Sequence, residues 1–275
     1  MNIIRVFPQR TSFTPKDELA FVGDPPFFRP SNNHIPVHVS CTFTWDLPKA
    51  RRLAESWAQY YMTVKLGGPA FDDPCNGFTP GMYVKQGITI TSRGCNNQCP
   101  WCLVSKREGK LRLLLIQEGN ILQDNNILQC PLSHIDAVFD MLSHQRHVIL
   151  SGGLESALLT QRIADRIRGL RIDQIFLACD TDGALKPLKK AVKLLQPSRE
   201  KLRCYVLLKF NPEETQGQAL NRLMQVYEVG CMPFAQLYQP PDRFIEYPTE
   251  WKQFARTWSR PAATKAFMKQ LERNS

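Results

Sequence analysis

The sequence predicts an α/β protein built on parallel strands, and three observations carry that expectation. From residue 87 onward, short apolar runs alternate six times with stretches of helical periodicity. Strand–helix–strand repeats need crossover connections, so they pair their strands in parallel. An earlier βαβ pattern stands apart, before a stretch at 72–81 that holds two prolines and two glycines. Composition agrees: 275 residues, 43% hydrophobic and 22% charged, suit one large domain, or a barrel-sized domain with a small companion.

The first unit spans 1–85. Residues 37–44 read as a strand, and Asp46-Leu47-Pro48 opens a helix carrying Leu53, Ala54, Trp57, Ala58 and Tyr61 on one side. Residues 64–66 form the second strand, closed by Gly67-Gly68-Pro69. The stretch 72–81 is the linker.

The second unit, 86–239, carries the six repeats. Residues 87–91 lead straight into a cysteine-rich loop. The segment 106–116 lacks a clean helical face and predicts a hairpin or loop. A weaker strand at 120–123 ends in Asp124-Asn125-Asn126. Ser133 and Asp136 stand at capping-box spacing before a helix with Ile135, Val138, Phe139 and Leu142 on one face. The third strand, 148–150, runs into Ser151-Gly152-Gly153-Leu154-Glu155, and Thr160 then caps a helix with Ile163, Ala164 and Ile167. The fourth, 175–179, ends at Asp180-Thr181-Asp182-Gly183. The fifth, 202–208, precedes a helix with Leu220, Leu223 and Tyr227 that Gly230 stops; the sixth is 232–237. The tail, 240–275, offers Trp251, Phe254 and Trp258 for a terminal helix packed on the sheet.

A formal charge of +10 suits a polyanionic partner, DNA or RNA. A helix with Lys186, Lys189, Lys190 and Lys193 opposite Leu185, Leu188, Val192 and Leu195 contributes to that charge, and any amphipathic helix looks the same. No apolar run approaches the roughly 18 residues of a membrane span, and the opening residues lack a signal-peptide core. Nine cysteines, an odd number, fit a reducing, cytoplasmic compartment better than a disulfide framework.

Three of those cysteines stand within eight residues as C-x3-C-x2-C: Cys95, Cys99 and Cys102, with Trp101 before the last. Thiolates so close converge on one soft metal centre. No second Cys pair or Cys/His pair stands at zinc-finger spacing. Three thiolates would hold three irons of a [4Fe–4S] cluster and leave the fourth open for chemistry.

At these residues the chain resembles the radical S-adenosylmethionine (radical SAM) superfamily, whose hallmark is C-x3-C-x2-C with an aromatic before the third cysteine. The resemblance implies a partial (βα)6 barrel, SAM chelated to the open iron, and reductive cleavage to a 5′-deoxyadenosyl radical that abstracts a substrate hydrogen. It also implies a flavodoxin- or ferredoxin-type electron donor and oxygen sensitivity. Residues 1–85 resemble a shortened cobalamin-binding domain without the D-x-H-x-x-G cobalt-ligand motif, which implies no cobalamin. The substrate is expected to be a nucleic acid or nucleotide, with a small metabolite or peptide as the rival. A non-catalytic, metal-holding nucleic-acid-binding protein and an electron-transfer cluster without SAM remain open.

Four loops of the second unit, at Cys95–Cys102, Asp124–Asn126, Gly152–Glu155 and Cys179–Asp182, lie at carboxyl strand ends, where βα barrels keep their chemistry. The resemblance places Trp101 near the cluster and the adenine. For the methionyl amino group two segments compete: Asp124-Asn125-Asn126, and Gly152-Gly153 with Glu155. Asp180 and Asp182 are candidates for ribose or substrate, or for a helix cap. The segment 209–214 resembles the family's adenine loop without its glycines. Cys179 is the candidate hydrogen-atom donor; Cys41, Cys204 and Cys231 are read as small buried hydrophobes. Cys75 and Cys130 pair with nothing at ligand spacing.

Overall fold

A computed structural model describes residues 2–73 and 77–274. Cys75 and part of the expected linker lie outside them. The N-terminal unit contains β1 (Ile4–Phe7), β2 (Ala20–Val22), β3 (Val37–Ser40), α1 (Leu47–Ala58) and β4 (Val64–Gly67). These strands form one parallel sheet in the order β2-β1-β3-β4. The expected βαβ unit is β3-α1-β4; β1 and β2 extend it. Pro48 starts α1, whose Ala50, Leu53 and Trp57 lie buried at helical spacing against Ile4, Val6, Val37 and Val39.

The second unit opens with β5 (Ile88–Thr89) and β6 (Ser92–Arg93), followed by α2 (Val104–Arg107) and β7 (Arg112–Leu113). β6 and β7 pair antiparallel, so the segment without a helical face becomes a short helix and a hairpin arm. Then come β8 (Ile121–Leu122), α3 (Leu132–Ser143), β9 (Val148–Leu154), α4 (Gln161–Arg168), β10 (Ile172–Ala178), α5 (Leu185–Leu195), β11 (Leu202–Leu208), α6 (Gln216–Glu228) and β12 (Met232–Leu237). The chain closes with α7 (Thr249–Ser259) and α8 (Pro261–Asn274).

Six of these strands form an all-parallel sheet in the order β12-β11-β10-β9-β8-β5, which is chain order read backwards. Crossovers between parallel strands are right-handed. When every step goes the same way across the sheet, each crossover lands on the same face. One hydrophobic core accordingly joins Leu150, Leu177, Cys204 and Val206 of the strands to Val138, Ile163, Leu188 and Leu223 of α3–α6. Each such aliphatic side chain contributes about 1.5–3 kcal/mol on burial. The alternate strand residues point the other way, where Phe176, Tyr205 and Phe234 meet with ring centroids 4.9–6.2 Å apart.

Ser133 does not cap α3. Pro131 occupies the cap, and Asp136 instead pairs with Arg162 and Arg166 of α4. A capping box does form at α6, where Thr215 and Gln218 satisfy each other's backbone N–H groups. Thr160 caps α4 by accepting from the Ile163 N–H at 3.3 Å. Gly230 turns the chain after α6 at φ +107°. β9 runs four residues past its expected end because Ser151–Gly153 form a bulge: Leu150 pairs with Ile175 and Leu154 with Leu177. In the tail, Trp258 of α7 is buried in the sheet's core, and the Ser259 carbonyl accepts from the buried Arg203 guanidinium at 2.9 Å. Among the described residues no helix is long and apolar enough to cross a membrane.

Candidate functional site

The cysteine loop leaves β6, which follows β5 at the edge of the six-stranded sheet, and is tied down on two sides. Towards the loop after β8, the Gly94 N–H donates to Asn125 Oδ1 at 3.0 Å and the Asn96 N–H to Gln129 Oε1 at 2.8 Å. Towards the hairpin, the Cys95 N–H donates to the Gly109 carbonyl at 3.1 Å, and Asn96 Oδ1 accepts from the Leu111 N–H at 3.2 Å. Inside the loop, the Cys102 N–H donates to the Cys99 carbonyl at 3.0 Å. A loop held by its own backbone in this way fixes its side chains in advance.

Cys95, Cys99 and Cys102 are half-buried free thiols within electrostatic reach of one another. Burial raises the Cys99 pKa, and the thiols of Cys102 and Cys95 and the carboxylates of Asp180 and Glu155 raise it further. Cys102 is likewise raised, first by burial, while the Val104 backbone N–H and the Arg107 guanidinium act against the shift. Three sulfurs and two carboxylates therefore gather at one place, with the Arg107 guanidinium beside Cys102 and that of Arg222 beside Asp180. Among the described residues no three His, Cys, Asp or Glu side chains stand as ligands of a single ion. A cluster sets a different requirement, because each thiolate meets its own iron.

Glu155, just past β9, is held by a cluster of side-chain amides. Its Oε2 accepts from Asn126 at 2.6 Å, Asn97 at 2.9 Å and Gln129 at 3.2 Å. Those three amides come from the cysteine loop and the loop after β8, so one carboxylate oxygen joins three segments. Its Oε1 has no partner among the described residues. Asn126 also points its amide at Cys95 Sγ, 3.9 Å away. Asn97, Asn126 and Gln129 were not legible as a set, since amides at 97, 126 and 129 converge only once β8 and β9 are neighbours.

The two segments expected to compete for an ammonium have different jobs. Asp124 is 2% exposed, and its carboxylate accepts the Thr91 N–H at 2.6 Å and the Thr91 and Ser92 hydroxyls at 2.7 Å each. It anchors the strand that feeds the cysteine loop and has no exposed surface to offer a ligand. The Oδ1 of Asn125 is taken by the Gly94 N–H. Gly152 is also structural: a Cβ there would stand 1.8 Å from the Asp124 carbonyl oxygen. Gly153 adopts φ +86° in the bulge, with the Tyr205 ring 3.6 Å from the position of its missing Cβ. Of the two carboxylates among these candidates only Glu155 keeps an unpartnered oxygen among the described residues; Asn126 Oδ1 is unpartnered too, but it is the buried oxygen of a neutral amide.

Asp180, at the carboxyl end of β10, closes the opposite side of the site. Burial raises its pKa, partly offset by the Leu207 N–H, which donates at 3.0 Å, by Arg222, and by the Trp101 side chain. Trp101 thus links the cysteine loop to β10, and its ring meets Phe210 edge-on at 5.4 Å. Phe210 belongs to the segment 209–214 after β11, which is shaped without glycine: Lys209 takes φ +61°, and its N–H donates to Glu214 Oε2 at 2.5 Å. Glu214 is in turn paired with Arg222. Asp182 is exposed at the start of a single helical turn.

Cys179 faces away from the site. It follows Ile175 and Leu177 on the helix-covered face, is 1% exposed, and sits beside Cys204 and Cys231. Burial pushes its thiol up to about 11. This overturns its expected role as hydrogen-atom donor, because alternation along β10 points Phe176, Ala178 and Asp180 to the open face instead. Two units above an ordinary thiol cut its thiolate fraction about a hundredfold. Native protein treated with iodoacetamide at pH 7.5 is therefore expected to leave Cys179 unmodified by peptide mass mapping when Cys95 is fully labelled. Cys41 is buried as well, as read from the sequence.

Comparison with protein-family models gives no match, and comparison with curated proteins gives none either.

Proposed function

We propose that this chain is a radical SAM enzyme whose Cys95, Cys99 and Cys102 hold a [4Fe–4S] cluster. The observation that carries the reading is the gathering of the three thiols with Glu155 and Asp180 at the carboxyl ends of a six-stranded, all-parallel, singly wound sheet. That winding is what a partial (βα)6 barrel requires, with helices outside and an open face inside. The donor set fits the cluster: soft sulfur ligands on one preformed loop, one per iron. When bound, the cluster and SAM supply one-electron cleavage of a carbon–sulfur bond and hence a 5′-deoxyadenosyl radical.

The protein's own part is positioning. Glu155 Oε1 receives the ammonium of SAM, held in aim by the three amides on Oε2. Trp101 and Phe210 offer an apolar corner for the adenine, and Asp180 an acceptor for a ribose hydroxyl. The open face below, with Gln123, Ser151, Gln174 and the Phe176–Tyr205–Phe234 group, receives the substrate. A nucleic acid or nucleotide fits the charge of +10. The lysines of α5 lie on the outer helix layer, so the whole molecule's charge supports this class, not a basic rim. A flavodoxin- or ferredoxin-type protein in the cytoplasm supplies the electron.

The test of the Glu155 assignment is equilibrium binding of SAM to anaerobically reconstituted protein. Glu155→Gln is expected to weaken SAM by at least about tenfold, the loss of one charge-assisted hydrogen bond, with iron content unchanged. Unchanged affinity would remove Glu155 from the ligand set.

A further inference from the structure

The N-terminal unit carries a separate cavity that the proposed chemistry does not use. In the order β2-β1-β3-β4 the winding reverses between β1 and β3. The connection after β1 leaves towards β2, and that after β3 leaves through α1 towards β4. Diverging loops open a crevice at the carboxyl strand ends, where open parallel sheets bind their ligands. Here the crevice is a cavity of about 270 Å³ between those two loops, closed on one side by Tyr83 and Val84.

Its lining has a definite chemistry. Phe7, Phe13, Phe43 and Tyr83 supply aromatic walls. Tyr83 is fixed by His38, its hydroxyl 2.6 Å from Nδ1 and the two rings stacked at 12°. Ser12, Thr14, Ser40 and Thr42 add hydroxyls. Asp46 is the single charged residue in the lining; Gln9 donates to its Oδ2 at 2.8 Å, and its Oδ1 has no partner among the described residues. Among the described residues no Lys, Arg or His lines the cavity, so Asp46 is the one charge in the wall that a phosphate would touch; Lys49, which acts on Asp46, and Lys85, 5.8 Å from the Phe13 ring centroid, stand outside the lining.

We infer that this cavity binds a neutral nucleoside. A heteroaromatic ring stacks on the aromatic walls, its hydroxyl or amino donors reach Asp46 and the Ser/Thr hydroxyls, and a 5′-phosphate is rejected. The site is distinct from the cysteine loop, none of whose residues lines it, yet the two units touch near both. Arg107 of α2 pairs with Asp72 at 3.5 Å, and Trp45, stacked on Phe43, meets Phe244 of the tail at 6.3 Å.

Isothermal titration of the full chain with adenosine, guanosine, cytidine and uridine tests this, with the 5′-monophosphate of each as its counter-probe. At least one nucleoside is expected to bind at submillimolar concentration, and its 5′-monophosphate at least about tenfold more weakly, the size of one uncompensated charge contact. Asp46→Asn should weaken binding about fivefold or more, and Thr42→Trp, at an exposed position on the rim, should abolish it by filling the cavity. The Cys95→Ala, Cys99→Ala, Cys102→Ala triple variant should bind as the native chain does, which separates this site from the radical SAM reading. Because Asp46→Asn is isosteric, it decides the matter even if Thr42→Trp fails to fold. No binding of any nucleoside at millimolar concentration, equal binding of the monophosphate, or loss in the cysteine variant with retention in Asp46→Asn would each overturn the inference.

Discussion

Replacing Cys95, Cys99 and Cys102 together with alanine is expected to remove all bound iron and acid-labile sulfide while leaving the fold in place. A fully loaded native chain should carry about four irons, and the variant none. The two effects separate because of where the thiols lie. All three are half-buried in a loop outside both hydrophobic cores, and that loop is held by backbone and amide hydrogen bonds that alanine leaves intact. Losing three such side chains should shift apo stability by no more than about 1 kcal/mol, the range for substitutions away from core and network features. Each single alanine variant should also fail to hold a complete cluster, since three irons need three protein thiolates. Iron and sulfide analysis with a parallel melting curve checks both halves. A variant that still takes up iron and sulfide would show that the loop is not the cluster site.

Gly152→Ala is expected to be the most damaging single substitution on the sheet. The added methyl would stand 1.8 Å from the Asp124 carbonyl oxygen, 2.9 Å from its carbon and 3.2 Å from its nitrogen, all rigid backbone. Relief requires β9 to move away from the strand end that holds Asp124, and Asp124 anchors Thr91 and Ser92 just before the cysteine loop. The cost should reach about 3 kcal/mol or more, at the upper end for overpacking. Gly153→Ala is the matched control: there the new Cβ meets the Tyr205 ring at an ordinary 3.6 Å, and the penalty is the φ of +86°, about 1–2 kcal/mol. Denaturant melts of the two variants should therefore differ clearly, with Gly152→Ala the worse. Equal destabilisation would mean that the close approach at Gly152 is relieved elsewhere.

Much of the architecture was legible because buried strands and amphipathic helices leave strong periodic traces. β11 and β12 fall at their expected bounds, and α3 buries the four residues read from its spacing. β1 was missed although Ile4, Val6 and Phe7 in its run are apolar, because a four-residue strand without a following helix has no repeat to announce it. The extension of β9 was missed because Gly152 and Gly153 look like a loop, whereas a bulge lets the strand continue through them.

The site was legible only where chemistry is written in local spacing. The cysteine motif is local; the amide cage on Glu155 is not, because Asn97, Asn126 and Gln129 meet only through the order of β8 and β9. The same logic explains Asp124. Its sequence neighbours resemble a ligand segment, but register turns its carboxylate inward onto Thr91 and Ser92. Cys179 shows the reverse error: a strand-end position says nothing about which face the side chain takes until the alternation along β10 is known.

The central claim is tested most directly by incubating the anaerobically reconstituted chain with dithionite and SAM and measuring 5′-deoxyadenosine by chromatography. Product from the native chain, and none from the Cys95→Ala, Cys99→Ala, Cys102→Ala variant, is the predicted result. A native chain that carries its full complement of iron and sulfide, binds SAM and still yields no 5′-deoxyadenosine would contradict it.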